Sequence, residues 1–194
     1  SEVTEIDRQT ETAIGDLITA ERATHGFFGE EHGLRGNATS PWRWIVDPID
    51  GTSGFVRGIP VWGSLIALTH RDRGVTVGVV SAPALARRWW ASAGEGSFAD
   101  GRRCQVSDID SIPDAQVNIT MNEGWRERGS TAALTDLAYE ARRSRSFGDF
   151  WQHCLVAEGA LDVAIDSIGV APYDLAAVSL IVTEAGGRLV LMSA

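Results

Sequence analysis

Lysine is absent from the 194 residues, and all 17 cationic side chains are arginines. A P-loop lysine, a Schiff-base lysine and a serine–lysine nucleophile pair are therefore excluded. A phosphate group bound by this chain has to be held by metal ions, arginines or helix N-termini instead.

Cysteine is scarce, with only Cys104 and Cys154 in the chain and no CxxC motif. No histidine stands near either one at the spacing of a zinc site, and a secreted disulfide framework needs more cysteines. We therefore expect both thiols to be reduced, as in a cytoplasmic protein.

Basic charge is also in short supply, because 26 acidic residues outnumber the arginines and give a net charge of −9. Nonspecific nucleic-acid binding depends on a basic surface that neutralises phosphates. Arginine pairs such as Arg87 and Arg88 are interpreted as solvated turns or helix ends. We expect no nucleic-acid partner.

Long hydrophobic runs are missing, since no stretch reaches the roughly eighteen apolar residues of a membrane span. Residues 1–20 are acidic and helical in pattern, unlike the basic and then apolar start of a signal peptide. We expect a cytoplasmic protein with no membrane partner. The sequence has no initiator methionine and is interpreted as starting inside a longer gene product.

The apolar pattern predicts an α+β part over residues 1–120 and an α/β part over residues 121–194. The first part opens with a helix over about 6–23 and a strand that leads into an acidic turn. WRWIV, residues 42–46, is a strand that stops at Asp47-Pro48, and three β-rich runs then form an antiparallel meander. The second part alternates helix and strand in the order STAALTDLAYEARR, SRSFG, DFWQHCLVAEGA, LDVAID, APYDLAAVSLIVTEAGG and RLVLM.

The segment VDPIDGTSGF, residues 46–55, places Asp47 and Asp50 at the carboxyl end of a strand. Open α/β sheets bind their ligands at this end. With one or both of Glu30 and Glu31, the aspartates form an oxygen-only donor set that suits a hard cation such as Mg²⁺. An acidic turn alone is more often solvated surface, but the Thr52 hydroxyl and the adjacent glycine favour a metal site.

Asp174 follows a proline and a tyrosine and so lies in the first turn of a predicted helix. There it serves either as an N-terminal acid that the helix dipole favours or as a further functional carboxylate. The local sequence does not separate these two roles.

The segments GEE (29–31), WIVDPIDGTSGF (44–55), RSFGDFWQHCLVAEGALDVA (145–164) and YDLAAVSLIVTEAGG (173–187) occur in this order. In order and spacing they resemble the inositol monophosphatase family of metal-dependent, lithium-sensitive phosphatases, over nearly the whole chain. The stretch that begins FVRGIPVWGSLIAL is most similar to the histidinol-phosphate phosphatases of actinobacteria. The resemblance implies a layered αβαβα sandwich of the inositol monophosphatase and fructose-1,6-bisphosphatase type, assembled as a homodimer.

The resemblance also implies two or three Mg²⁺ ions in each subunit, with Mn²⁺ as a substitute. Glu30, Asp47 and the carbonyl of Ile49 match one metal site, and Asp47, Asp50 and Asp174 match the second. Glu30 would also reach a third and weaker ion.

The catalytic residues implied by the resemblance are Thr52, which activates a water, its partner Asp7 in the VTxxD motif, and Glu30. The amides of Gly51 and Thr52 would hold the phosphate, with Ser53 beside them.

Further substrate contacts fall on Gly148, Asp149 and Asp166. A carboxylate at these positions suits a cationic substrate. Asp149 is equally interpretable as the N-cap of the helix that follows it.

Several departures from the family pattern are present. Ser53 and Gly54 stand where Lys-Asn is common, and Tyr173 replaces a tryptophan. The 194 residues do not include the family's first helix, its lysine-containing loop, or its last strand and helix, so we expect either that disordered ends have been left out or that the sequence is incomplete. Loss of the loop would affect a third ion more than the first two.

These features predict a Mg²⁺-dependent phosphate monoester hydrolase that acts on a small phosphorylated metabolite, L-histidinol phosphate. Inositol-1-monophosphatase and bisphosphate nucleotidase activities are the enzymatic alternatives. A metal-binding module that has lost catalysis is the alternative outside enzymes, and the presence of both Thr52 and Asp7 argues against it.

Overall fold

A computed structural model of the chain describes residues 4–191, and its strands form two sheets. The helices are α1 (Glu5–Glu21), α2 (Thr52–Val56), α3 (Glu123–Glu127), α4 (Thr131–Glu140), α5 (Asp149–Ala157) and α6 (Pro172–Glu184). The strands of the larger sheet are β1 (Gly26–Gly29), β2 (Gly33–Gly36), β3 (Trp42–Asp50), β4 (Gly63–His70), β5 (Gly74–Ala82), β6 (Arg87–Ser92), β7 (Gly96–Ala99) and β8 (Arg102–Arg103). The smaller sheet consists of β9 (Gln116–Ile119), β10 (Arg143–Arg145) and β11 (Val163–Ile165).

The larger sheet has eight strands in the order β2-β1-β3-β4-β5-β6-β7-β8. β1 and β3 are parallel, and every other neighbouring pair is antiparallel. The predicted meander is confirmed, because β4, β5, β6 and β7 follow one another as antiparallel neighbours. In the smaller sheet β9 is the central strand and pairs in parallel with β10 and β11.

Helices α1 and α6 lie on opposite faces of the larger sheet. Successive residues of a strand point to opposite faces. The Phe28 ring of β1 contacts the Tyr173 ring of α6, with 6.0 Å between the ring centroids. The next residue, Gly29, faces the Glu11 carboxylate of α1, which occupies the space where a Cβ would stand.

The same alternation places the smaller sheet between α5 and the pair α3 and α4. Val117 and Ile119 of β9 pack against Trp125 of α3 and Leu134 of α4. Asn118, between them in sequence, donates a hydrogen bond from its amide to Gln152 of α5. The layers are thus α1, the larger sheet, α5 with α6, the smaller sheet, and α3 with α4, which confirms the predicted αβαβα sandwich.

The larger hydrophobic core lies between the eight-stranded sheet and the helices α5 and α6. Each of its large side chains contributes about 1.5–3 kcal/mol by leaving water. Its fully buried members include Leu65, Val80, Trp89, Phe150, Cys154, Val178 and Ile181.

The first residue of EAGG (184–187), at the end of the segment YDLAAVSLIVTEAGG, stabilises a turn of the larger sheet. The two carboxylate oxygens of Glu184 accept hydrogen bonds from the backbone N–H groups of Gly94 and Gly96, each at 2.8 Å. This fixes the turn between β6 and β7 against the end of α6.

The helix predicted over about 6–23 is confirmed as α1, but its apolar residues are not the ones that it buries. Ile6 is 51% exposed and Leu17 is 70% exposed. The buried positions are Asp7, Glu11 and Gly15, spaced four residues apart along one face. A polar stripe therefore faces the sheet.

The strand predicted for RLVLM is wrong for the residues that the structure describes. Residues 188–191 have no strand structure, and Val190 and Leu191 are 60% and 73% exposed. A β-rich sequence forms a strand only where a neighbouring strand accepts its hydrogen bonds, and residues 188–191 pair with none. Met192, and Val3 of the VTxxD motif, lie outside the described residues.

The division of the chain at residue 120 stays a prediction. β9, which precedes that residue, belongs to the smaller sheet together with β10 and β11. Across residues 4–191, none of the helices combines the length and the apolar character that crossing a membrane requires.

Gly78 of β5 lies close to the backbone of α6, and this contact generates a prediction about stability. A Cβ at this position would lie 2.6 Å from the carbonyl oxygen of Ala177 in α6. We expect Gly78→Ala to lower the free energy of unfolding by about 1–3 kcal/mol, measured by urea denaturation, because helix and strand must separate.

Gly54→Ala is the matched control, because its new Cβ would have no neighbour nearer than 3.4 Å. Alanine is also the better helix former, so this variant should be as stable as the wild type or more stable. Equal destabilisation by both changes would contradict the close approach at Gly78.

Candidate active site

A bulge at the end of β3 brings Asp47 and Asp50 to the same side of the sheet. In a regular strand, residues three apart face opposite sides. Asp47 pairs with Leu65 of β4, but Asp50 pairs with Gly63, so β3 has one extra residue between them. The prediction that the strand stops at Asp47-Pro48 is wrong, because a bulge accommodates a proline without an N–H donor.

Asp174 joins these two aspartates from the start of α6. One carboxylate oxygen from each of Asp47, Asp50 and Asp174 can be chosen so that all lie within 4.8 Å of one another. Asp50 Oδ2 accepts the N–H of Phe150 at 2.5 Å, and Asp174 Oδ2 accepts the N–H of Ala171 at 2.5 Å. Asp174 thus serves at the helix N-terminus and in the acidic group at once.

The donor set fits a metal ion. Asp47 is only 2% exposed, and no hydrogen-bond donor within residues 4–191 faces its Oδ1 atom. A buried carboxylate oxygen without a donor is costly unless a cation or a proton occupies the space in front of it. The ligands here are carboxylate oxygens, which are the donors that hard divalent cations prefer.

The two glutamates of GEE separate in the structure. The carboxyl group of Glu30 lies against that of Asp47 and feels the charge of Asp174. Glu31 instead points toward α1, with its Oε2 atom 3.9 Å from Arg8 Nε. The carbonyl oxygen of Ile49, the residue before Asp50, is one of two acceptors within reach of the Thr52 hydroxyl.

The acidic group binds protons tightly in the absence of a cation. Burial, and then the charges of Asp50 and Glu30, raise the pKa of Asp47 to about 11. Burial is also the largest cause that raises the pKa of Glu30 to about 7. Burial, followed by the charge of Asp149, raises the pKa of Asp50 well above its usual value.

Thr52 links the acidic group to α1. Its hydroxyl lies 2.9 Å from the carbonyl oxygen of Ile49 and 3.3 Å from Asp7 Oδ1. Asp7 is fully buried, and its other oxygen, Oδ2, accepts the backbone N–H of Thr4 at 2.9 Å and the Thr4 hydroxyl. The Asp7 carboxylate is therefore held in place for the Thr52 hydroxyl.

Gly51, which precedes Thr52, has a reason to be glycine. Its φ is +87°, a left-handed conformation that side chains disfavour. A Cβ there would lie 2.9 Å from the carbonyl oxygen of Val61 and 3.1 Å from Asp149 Oδ2. Ser53, the next residue after Thr52, is exposed.

The Gly148–Asp149 pair enters the site from the start of α5. Both residues have positive φ, +76° for Gly148 and +48° for Asp149. Gly148 occupies the N-cap position and Asp149 is the first residue of the helix, so the interpretation of Asp149 as the N-cap is wrong. Burial, and then the charge of Asp166, raise the pKa of Asp149.

Asp166 lies at the end of β11 with two hydrogen-bond partners. Its Oδ2 atom is 2.9 Å from His153 Nε2, and its Oδ1 atom accepts the N–H of Ser167 at 2.8 Å. His153 was not singled out in the sequence, because a lone histidine inside a helix carries no spacing signal.

A second residue that the motifs did not indicate is Glu11, whose carboxylate is buried beside the Glu30 turn. Its signal in the sequence is its position four residues after Asp7, which places both side chains on one face of a helix.

Comparison with known proteins agrees with this geometry. The whole of residues 1–194 matches the Inositol monophosphatase family. The chain belongs to this family. It is therefore one of the metal-dependent phosphatases, and its acidic side chains are grouped as such an enzyme requires.

Individual relatives support the same assignment. The chain is 47% identical to a histidinol-phosphatase of Mycobacterium tuberculosis, over 96% of this chain and 73% of the relative. It is 42% identical to a histidinol-phosphatase of Streptomyces coelicolor, over 95% of this chain and 71% of the relative. The crystal structure of the extragenic suppressor protein suhB from Bartonella henselae superposes with a TM-score of 0.87 at 30% identity, covering 96% of this chain and 72% of the other.

The acidic group generates a prediction about stability and pH. The pKa of Asp47 is raised from 3.8 to about 11 by folding, so the folded state binds this proton more tightly than the unfolded state. The contribution of this proton to the stability of the fold is complete below the unfolded pKa of 3.8. It is lost progressively as the pH rises toward the folded pKa of about 11. In EDTA, we expect Asp47→Asn to unfold at a higher Tm than the wild type near neutral pH.

The difference in Tm should grow from about pH 5 to about pH 8. The wild type loses stability over this range because Asp47 binds its proton more tightly when folded, whereas the asparagine side chain has no proton to titrate. Each kcal/mol corresponds to roughly 2–4 °C for a chain of this size. Asp108→Asn, at an exposed loop position, is the matched control and should leave the pH dependence unchanged. A lower Tm for Asp47→Asn across this range would contradict repulsion within the acidic group.

Proposed function

We propose that this protein is a Mg²⁺-dependent phosphate monoester hydrolase whose substrate is L-histidinol phosphate. The observation that carries the chemistry is the grouping of the Asp47, Asp50 and Asp174 carboxylates, in which the buried Oδ1 atom of Asp47 has no donor within residues 4–191. The names of the relatives that are 47% and 42% identical support the choice of substrate.

The ligand assignment rests on the family resemblance and is supported by the grouping of Asp47, Asp50 and Asp174. Glu30, Asp47 and the carbonyl of Ile49 would hold one cation, and Asp47, Asp50 and Asp174 a second, with Glu30 also available to a weaker third ion. Mn²⁺, with similar ligand preferences, would substitute for Mg²⁺. When bound, such cations neutralise phosphate charge, lower the pKa of water and stabilise the leaving oxygen.

Thr52 and Asp7 supply the orientation of the attacking water. A threonine hydroxyl has one proton and two lone pairs. If it donates to Asp7 Oδ1, 3.3 Å away, its oxygen is free to accept a hydrogen bond from water and so to orient it. The water oxygen then attacks phosphorus, the ester P–O bond breaks, and the alcohol oxygen takes up a proton as phosphate leaves.

In this proposal, different residues would bind the phosphate and the rest of the substrate. The amides of Gly51 and Thr52, with Ser53, would face the phosphate oxygens. Histidinol phosphate also carries an ammonium group and an imidazole, which carboxylates bind through charge-assisted hydrogen bonds. Asp149, beside Gly51, and Asp166, at the end of β11, are the acids that we assign to this role.

The assembly and location that we propose are a homodimer in the cytoplasm. The dimer rests on the family resemblance, and size-exclusion chromatography with light scattering measures it directly. The location is supported by Cys104 and Cys154, which are both free and buried, as expected in a reducing compartment.

The proposed function is tested by a panel of phosphate esters with released phosphate as the readout. We expect kcat/KM to be highest for L-histidinol phosphate and activity to require Mg²⁺, with EDTA and Asp47→Asn each abolishing turnover. Preference for inositol 1-phosphate or for a bisphosphate nucleotide would change the substrate assignment alone. Hydrolysis that is insensitive to EDTA would contradict the metal chemistry.

Asp166 generates a separate prediction about specificity. We expect Asp166→Asn to raise KM for histidinol phosphate by about 10- to 100-fold, the worth of one charge-assisted hydrogen bond. The variant should hydrolyse p-nitrophenyl phosphate, which has no cationic group, as the wild type does.

Asp136→Asn, at an exposed position of α4, is the matched control and should leave both KM values unchanged. Equal losses on both esters for Asp166→Asn would show that Asp166 supports the fold or the metal site rather than substrate binding.

A further inference from the structure

We propose that Glu11 is a positioning residue for the metal site: its buried carboxylate holds the turn that carries Glu30 and so sets where Glu30 meets Asp47. The inference rests on the proposed function, in which Glu30 is a metal ligand. Glu11 lies outside the ligand set and touches neither the metal nor the substrate in this proposal.

The contacts of the Glu11 carboxylate connect α1 with the residues that follow Glu30. Its side chain has no exposed surface. Oε2 accepts the backbone N–H of Glu31 at 2.7 Å, and Oε1 accepts the backbone N–H of His32 at 3.1 Å. The His32 ring lies 2.9 Å from Oε1 through Nδ1, and Arg35 donates to Oε1 at 3.4 Å.

These bonds restrain the backbone on both sides of Glu30. The N–H of Glu30 itself is bonded to the carbonyl oxygen of Val46 in β3, at 3.1 Å. Three successive N–H groups are thus satisfied, the first by β3 and the next two by Glu11. Without the Glu11 carboxylate, the N–H groups of Glu31 and His32 would lose their acceptor, and the turn would be free to move.

Two glycines leave room for this arrangement. At Gly29, a Cβ would overlap the Glu11 carboxylate. At Gly15, on the same face of α1, a Cβ would lie 2.9 Å from Nη2 of Arg35. The helix and the strand are therefore shaped around the carboxylate and its cationic partner.

The position of Glu11 on α1 connects the Glu30 turn with the Thr52 hydroxyl. Asp7 and Glu11 are one helical turn apart on the buried face. Asp7 faces Thr52, and Glu11 faces the turn after β1. One rigid helix thus sets the separation between the group that orients water and a group that holds the metal.

Mn²⁺ binding to the full chain tests the proposal without turnover. We expect Glu11→Gln to bind Mn²⁺ about 10- to 100-fold more weakly than the wild type, by electron paramagnetic resonance or calorimetry, as is typical for partners of metal ligands. The measurement is made at a temperature where circular dichroism shows both proteins folded. Glu21→Gln, with a side chain that is 80% exposed on the same helix, is the matched control.

A purely structural role would give a different result. It would lower the Tm in EDTA but leave the Mn²⁺ affinity of the folded protein unchanged, and that outcome would overturn the proposal. In the phosphatase assay, Glu11→Gln should change two quantities. The Mg²⁺ concentration that gives half-maximal activity should rise by a larger factor than the factor by which kcat at saturating Mg²⁺ falls. A fall in kcat with unchanged Mg²⁺ dependence would also overturn the proposal.

A second variant changes the same contact through β1 instead of α1, and it provides the test if Glu11→Gln does not fold. Gly29→Ala should weaken Mn²⁺ binding because the new methyl group displaces the Glu11 carboxylate. In the double variant with Glu11→Ala, the methyl group has nothing to displace, so the two losses should be non-additive. Additive losses would contradict the proposal.

Failure of the proposed function gives a distinct outcome. A wild-type protein that binds no Mn²⁺ would overturn the metal assignment, and this inference with it. Normal binding by the wild type together with normal binding by Glu11→Gln would overturn only the role of Glu11.

Discussion

Mutual repulsion among buried carboxylates is the constraint on which the rest of this structure depends. Asp47, Asp50 and Asp174 come from two distant parts of the chain, yet their oxygens lie within 4.8 Å of one another. Burial and neighbouring charge raise the pKa of Asp47 to about 11, so the group is unfavourable in its ionised form without a cation. The rest of the fold therefore has to hold these side chains in positions that their mutual repulsion disfavours.

Three features of the backbone hold the carboxylates in these positions. The bulge in β3 turns Asp50 to the side of Asp47. Phe150 in the first turn of α5 donates its N–H to Asp50, and Ala171, the N-cap residue of α6, donates its N–H to Asp174. Behind the helix ends, the larger core joins α5 and α6 to the sheet. The closeness of α6 to β5 at Gly78 therefore bears on the position of Asp174 as well as on stability.

The buried stripe of α1 is the polar counterpart of that core. Asp7 and Glu11 each satisfy donors from another part of the chain, and Gly15 makes room for Arg35. Buried charge contributes little net stability compared with apolar packing, because desolvation offsets the attraction. A polar stripe at this place is better explained by the geometry that it imposes on Thr52 and on the Glu30 turn.

The sequence by itself determined most of the helices and strands and the acidic motifs, because these depend on local patterns: helical periodicity, β-rich runs and spaced acidic residues. The resemblance carried by those motifs implied the family and the αβαβα layering. The acidic turn offered Glu30 and Glu31 as candidate ligands, and the resemblance selected Glu30. The sequence did not show that β3 continues through Pro48, that residues 188–191 form no strand, or that α1 buries Asp7 and Glu11 rather than Ile6 and Leu17. Those outcomes depend on strand register and on which element packs against which face, and only the tertiary structure decides them, because they arise between residues far apart in the chain.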